Sequence, residues 1–153
     1  QVDQPAGACL AVRRGAWESM GGFDERFFPL WFEDVDLCRR LRAHNWKILY
    51  SPTATFLHTG GHSVSRLSIG ERQVFWYRNL LRYWRKHESR AAVATLRAII
   101  TLGMGLRSFA TLVGSGPENA PPAEALRAYA RVIGECTLRG PDGGNPMADK
   151  GGQ

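Results

Sequence analysis

The sequence predicts an α/β segment followed by a set of amphipathic helices. Three patterns carry that reading. Short apolar runs alternate with a helical period up to about residue 66, a long arginine-rich helical pattern follows, and a Gly/Pro cluster precedes one last helix. The organisation expected is an α/β part over 1–66, a basic aromatic helical extension over 67–113, a linker with a short helix over 114–139 and a disordered tail over 140–153.

Ala8-Cys9-Leu10-Ala11-Val12 has the apolar continuity of a buried strand, ended by Arg13-Arg14-Gly15. Ala16 to Met20 can make one or two helical turns before Gly21-Gly22 stops them. From Asp34 to His44, Val35, Leu37, Cys38 and Leu41 approximate a 3.6-residue period; Glu33 or Asp34 can cap the start and Asn45 can end it in the left-handed region. Lys47 to Tyr50 and Ala54 to His58 read as strands around a Ser51-Pro52 turn, and Gly60 to Arg66 as a loop. Glu71 to His87 is helical, with Val74, Tyr77, Leu81 and Trp84 on one face and Arg78, Arg82 and Arg85 along an adjacent stripe. A second helix from Ser89 or Arg90 to about Val113 carries Gly103 and Gly105, and a third covers Ala123 to Leu138.

Composition excludes several classes. Of 153 residues 44% are hydrophobic and 22% charged, which suits a folded chain rather than a disordered one. Cys9, Cys38 and Cys136 are too scattered for a disulfide scaffold or a zinc ribbon, so reduced thiols are expected. The longest uncharged apolar stretch, Ala98 to Leu106, falls short of a membrane span, although contact with a membrane surface stays open. The chain starts Gln1-Val2-Asp3 without Met or a secretory signal, and it is expected to be a piece of something longer. The net charge of +6 is unevenly spread. Glu18, Asp24, Glu25, Glu33, Asp34 and Asp36 face a single Arg26 between Trp17 and Asp36, whereas nine basic residues face only Glu71 and Glu88 between Arg66 and Arg107.

Three acids within four positions at a helix start are costly unless their charge is used. Aromatic neighbours desolvate carboxylates and raise their pKa values, as a general base requires, while the helix N-terminus favours the charged form. Plain capping, with Asp36 paired to Arg39 or Arg40, is the structural alternative. Asp34-Val35-Asp36 is no calcium loop, because position five and the following Gly are missing.

The context decides between them. Gly21-Gly22-Phe23-Asp24-Glu25, Phe27-Phe28, Glu33-Asp34-Val35-Asp36-Leu37 with Arg40, Asn45-Trp46, Ile48-Leu49-Tyr50, Pro52-Thr53-Ala54, and His58 before a Gly/Ser loop follow one another in order. This series, from Gly7 to Ser65, resembles the second half of the catalytic domain of family 2 glycosyltransferases, particularly their bacterial rhamnosyltransferase-like branch. The resemblance implies the C-terminal half of a GT-A nucleotide-diphospho-sugar transferase domain, inverting transfer, and synthesis of cell-surface polysaccharide. It puts the catalytic base on Asp34, shapes the acceptor site with Trp31, Glu33 and Asp36, and makes His58 (or, failing it, His62) a ligand of Mn²⁺ or Mg²⁺. Ser63, Ser65 and Arg66 would hold the donor diphosphate. The family's nucleotide-binding half, with its Asp-x-Asp metal motif and the other metal ligands, is not visible before Gln1; these residues alone are therefore expected to be inactive.

The implied partners are a nucleotide-diphosphate sugar, with rhamnose the sugar towards which the resemblance leans, and a glycan or lipid-linked acceptor. Phe75, Trp76, Tyr77, Tyr83 and Trp84 alternate with basic residues; the aromatic face is expected to pack in the core, and the basic stripe with the Ala91–Val113 helix to meet an anionic membrane surface, a further expected partner. That places the protein in the cytoplasm, peripheral at the inner face of the plasma membrane. Nucleic acid fits less well because the acidic patch repels phosphates. A non-catalytic basic and aromatic module is the alternative reading.

Overall fold

The computed structural model describes residues 1–59, 62–117 and 120–140, the side chains of 62 and 63 excepted. It divides into two compact units, one running to His62 and one starting at Ser63. The division falls four residues before the expected end of the α/β part, and 67–113 and 114–139 belong to one unit.

Among the described residues there is no strand, so the strands expected here are absent and the structure does not confirm the α/β class. Ala8 to Val12, Lys47 to Tyr50 and Ala54 to His58 have no regular structure. Val2 donates its N–H to the Ile48 carbonyl at 3.0 Å, but a strand ladder needs such bonds repeated along both chains. The side chains agree: Leu49, Tyr50, Phe56 and Leu57 stand in solvent, as in a sheet-forming sequence without flanking strands.

The first unit is held by α1 (Arg14–Met20) and α2 (Glu33–Ala43), with a 3₁₀ turn (Glu25–Phe27) between them. Ala16, Leu37 and Leu41 are its buried core, covered by Leu10, Val12 and Met20. Gly21 ends α1 in the left-handed region, and Gly22 follows with φ +73°. A side chain at Gly22 would also meet the Trp17 ring at 2.8 Å, so glycine is required there twice over. Trp17 in turn packs edge-on against Phe23, with ring centroids 5.1 Å apart. Asn45 takes φ +64° after α2, as the sequence predicts.

An ion pair within α2 joins these pieces. Asp36 is fully buried, and its Oδ2 accepts Arg40 Nε–H at 2.7 Å one helical turn on. The other guanidinium nitrogens donate to the carbonyls of Met20 (2.6 Å) and Gly22 (2.7 Å). One side chain thus satisfies the end of α1 and fixes it to α2.

The short turn α3 (His62–Ser65) begins at the last residue of the first unit; the second unit is helical, with α4 (Ile69–His87), α5 (Arg90–Leu112), α6 (Pro122–Arg131) and a π-helical turn (Val132–Leu138). The loop expected over Gly60 to Arg66 therefore includes a helical turn, with residues 60 and 61 outside the described residues. The helix α4 starts two residues earlier than the periodicity predicts because Ser68 and Glu71 form a reciprocal capping box. Val74 and Leu81 pack with Ile100, Met104, Ala125, Tyr129, Val132 and Cys136 in the core. The basic stripe expected on α4 is not uniformly solvated: Arg82 is buried and donates to Asn79 Oδ1 at 3.1 Å. Burial pushes the Cys136 thiol up to about 11, which makes it unreactive. The helix α5 is by length and composition long and apolar enough to cross a membrane, where the short charge-free run had led the sequence to exclude a span. The tail expected to be disordered lies, beyond Gly140, outside the described residues.

Asp36→Ala leaves the largely buried Arg40 guanidinium without its carboxylate, so it should cost about 3 kcal/mol in denaturant titration. A loss under about 1 kcal/mol would remove the clamp from its structural role.

Candidate active site

The three acids at the start of α2 have three different surroundings. Trp31 and Phe32 both take positive φ, 72° and 75°, a conformation that bulky residues rarely hold. This sharp turn brings the chain into α2 with Phe32 at the N-cap position and no side-chain cap. Trp31 is half-buried at the turn, beside the acids it was expected to flank.

Asp36 is committed to Arg40 and faces the interior, so its part here is to hold the helix start. Glu33 is half-buried, and its Oε2 is enclosed without a hydrogen-bond partner. Desolvation raises its pKa above the ordinary value, helped by the neighbouring Asp34 charge and opposed by a backbone hydrogen bond.

Asp34 is different again. Its Oδ2 accepts the Gly7 N–H at 2.7 Å and its Oδ1 accepts the Val35 N–H at 2.8 Å. Each oxygen keeps acceptor capacity, and no cation pairs with the group among the described residues. The two amides orient the carboxylate without neutralising it. Gly7 is the residue that sequence reasoning missed: a Cβ there would lie 3.0 Å from Asp34 Oδ2 and 3.1 Å from its Cβ. The only signal for it was the small-residue start of the expected first strand.

The other expected site residues are not gathered here. His58 is exposed on a segment without regular structure. Among the described residues no three His, Cys, Asp or Glu side chains form a metal-binding group. The donors among the described residues therefore do not by themselves fit Mn²⁺ or Mg²⁺, which require several oxygen or nitrogen ligands. Ser65 and Arg66 are exposed and belong to the second unit, while the side chains of Ser63 and His62 lie outside the described residues.

Comparison with known proteins converges on the acidic segment. N-acetylglucosaminyl-diphospho-decaprenol L-rhamnosyltransferase, from two strains of Mycobacterium tuberculosis, is 38% identical over 92 residues, which is 51% of this chain and 30% of that enzyme. The uncharacterized protein y4gI of Sinorhizobium fredii is 27% identical over 84 residues, 53% of this chain and 9% of the relative. The chain thus spans under a third of the length of the curated relatives it matches. No solved structure matches it significantly. A family model described as glycosyltransferase like family 2 matches residues 1–93, from the Gly7 segment through the acidic turn and α4. By that match over more than half its length, the chain belongs to the family 2 glycosyltransferases.

Proposed function

We propose that the first unit is the acceptor side of an inverting glycosyltransferase of GT-A architecture, with Asp34 as the general base. The observation that carries this reading is the partition of charge at α2. Asp36 absorbs the arginine, and Asp34 is left oriented by two amides with lone pairs to spare. A base that must accept a proton needs a fixed, uncommitted carboxylate.

In the reaction the acceptor hydroxyl oxygen bonds to the anomeric carbon, and the bond from that carbon to the diphosphate oxygen breaks. The hydroxyl proton moves to Asp34, and the nucleoside diphosphate leaves. One displacement inverts the configuration, so no covalent sugar–enzyme intermediate is needed. Trp31 offers an apolar surface for the C–H face of the acceptor sugar, and Glu33 lines the same turn. Ser63, Ser65 and Arg66 are the proposed diphosphate contacts. Family 2 members commonly use a divalent metal, for which this chain offers His58. The name of the mycobacterial relative supports an L-rhamnosyl donor and a lipid-diphosphate-linked acceptor; a role in cell-surface polysaccharide synthesis at the cytoplasmic face of a membrane belongs to the same proposal.

In the complete gene product, Asp34→Asn should lower kcat by about 10²–10⁴-fold with donor binding unchanged; retained turnover would take Asp34 out of its role. Gly7→Ala crowds the same carboxylate and should lower kcat about tenfold or more with donor KM unchanged. An unaltered kcat would mean that the Gly7 contact does not position the base.

Glu33 supplies a pH signature. Its folded pKa is raised, so the folded state is penalised as pH climbs through that value, and the penalty vanishes below the ordinary value of 4.5. Glu33→Gln should therefore raise the thermal midpoint relative to the parent at neutral pH, and the gain should fade as pH drops below 4.5. A pH-independent difference would contradict the desolvated setting.

A further inference from the structure

The helix α5 presents two apolar faces. The inner one, with Val93, Ile100 and Met104, closes the core of the second unit. The outer one carries Ile99, Leu102, Leu106, Phe109, Leu112 and Val113, each at least 61% exposed. From Ile99 to Leu112 they recur at spacings of three and four, which places them in one stripe along the outer side of the helix, and Val113 follows at its C-cap. An outward face of large apolar groups at this density is not the surface of a helix that lives in water on that side.

The stripe has little polar relief. Thr95, which lies on it, turns its hydroxyl onto the Ala91 carbonyl at 3.1 Å. Arg97 reaches inward, donating to the Thr137 and Leu138 carbonyls. Arg90 and Arg107 are exposed on other sides of the helix, and none of the stripe's own positions carries a charge.

Charge identifies what covers it. Up to His62 the sequence holds seven Lys and Arg against seven Asp and Glu, so the first unit is neutral. From Ser63 to Gly140 it holds twelve against five. The whole positive excess of the protein therefore resides in the unit that carries the apolar stripe. A bilayer with anionic headgroups matches both features, because it takes apolar side chains below its phosphates and basic ones among them.

We propose that the outer face of α5 docks the second unit on an anionic lipid surface, with the helix lying in the plane of the interface. Lying flat fits better than spanning. The inner face is packed on α4 and α6, and Arg97 is bound within that packing. Crossing the bilayer would carry the whole basic bundle into hydrocarbon. The membrane contact expected of the basic stripe and the Ala91–Val113 helix is thereby assigned to the outer face of α5, while much of the aromatic face of α4 is core. The proposal stands apart from sugar transfer, since it is read without turnover.

The test is flotation of the 153-residue chain with vesicles of phosphatidylglycerol and phosphatidylcholine in equal parts, against phosphatidylcholine alone. The chain should float with the mixed vesicles and only weakly with the neutral ones, and added salt should loosen it. Leu102→Gln, Leu106→Gln and Phe109→Gln together should weaken binding about tenfold or more with the circular dichroism spectrum unchanged. Should that variant lose helicity, Leu106→Gln alone should still weaken binding about threefold. The proposal is overturned if the parent does not float, if it binds neutral vesicles equally well, or if the folded variants float like the parent. It is also overturned if the chain is a lipid-indifferent dimer that Leu106→Gln separates, which would make the stripe an interface between copies.

Discussion

Arg40 is the residue on which the first unit turns. Its guanidinium bonds a fully buried carboxylate one helical turn back and two carbonyls eighteen and twenty residues earlier. Taking Asp36 and Arg40 out of water is costly, and the geometry offsets the cost by using several donors at once. The result is an anchored start to α2. Because Arg40 is spent on Asp36, it is not available to Asp34, and the adjacent carboxylates acquire separate characters within one turn. One is buried and paired, one is half-buried with an oxygen unpartnered, and one is held by amides alone. The proposed chemistry needs the third condition, and the first makes it possible.

Much of the helical part was legible because it depends on local physics. Gly21 and Asn45 end α1 and α2 in the left-handed region, and the periodicity of Val74, Tyr77 and Leu81 marks the core face of α4. The strand readings failed for a non-local reason. Apolar runs such as Lys47 to Tyr50 become strands only when neighbours complete a ladder, and the described residues give them none. The start of α4 was missed because Ser68 and Glu71 act through side-chain hydrogen bonds, not through hydrophobic period.

At the site, the acidic cluster and its aromatic approach were legible as residue types, and its internal division was not. Nothing in Glu-Asp-Val-Asp tells which carboxylate faces inward; that follows from Arg40 reaching the end of α1 and from Gly7 lying against Asp34. The apolar stripe of α5 was obscured for a related reason. A helix apolar on both sides has no single face to read, and only the packing of Ile100 and Met104 inward reveals Leu102, Leu106 and Phe109 as the side left uncovered.

The charge division at α2 is tested most directly by placing an acceptor against it. In a crystal structure of the complete gene product with an unreactive donor analogue and acceptor, the attacking hydroxyl should lie about 2.6–3.2 Å from an Asp34 carboxylate oxygen, with Asp36 still on Arg40. An acceptor hydroxyl directed to another group, or Asp34 closed onto a guanidinium, would contradict the account.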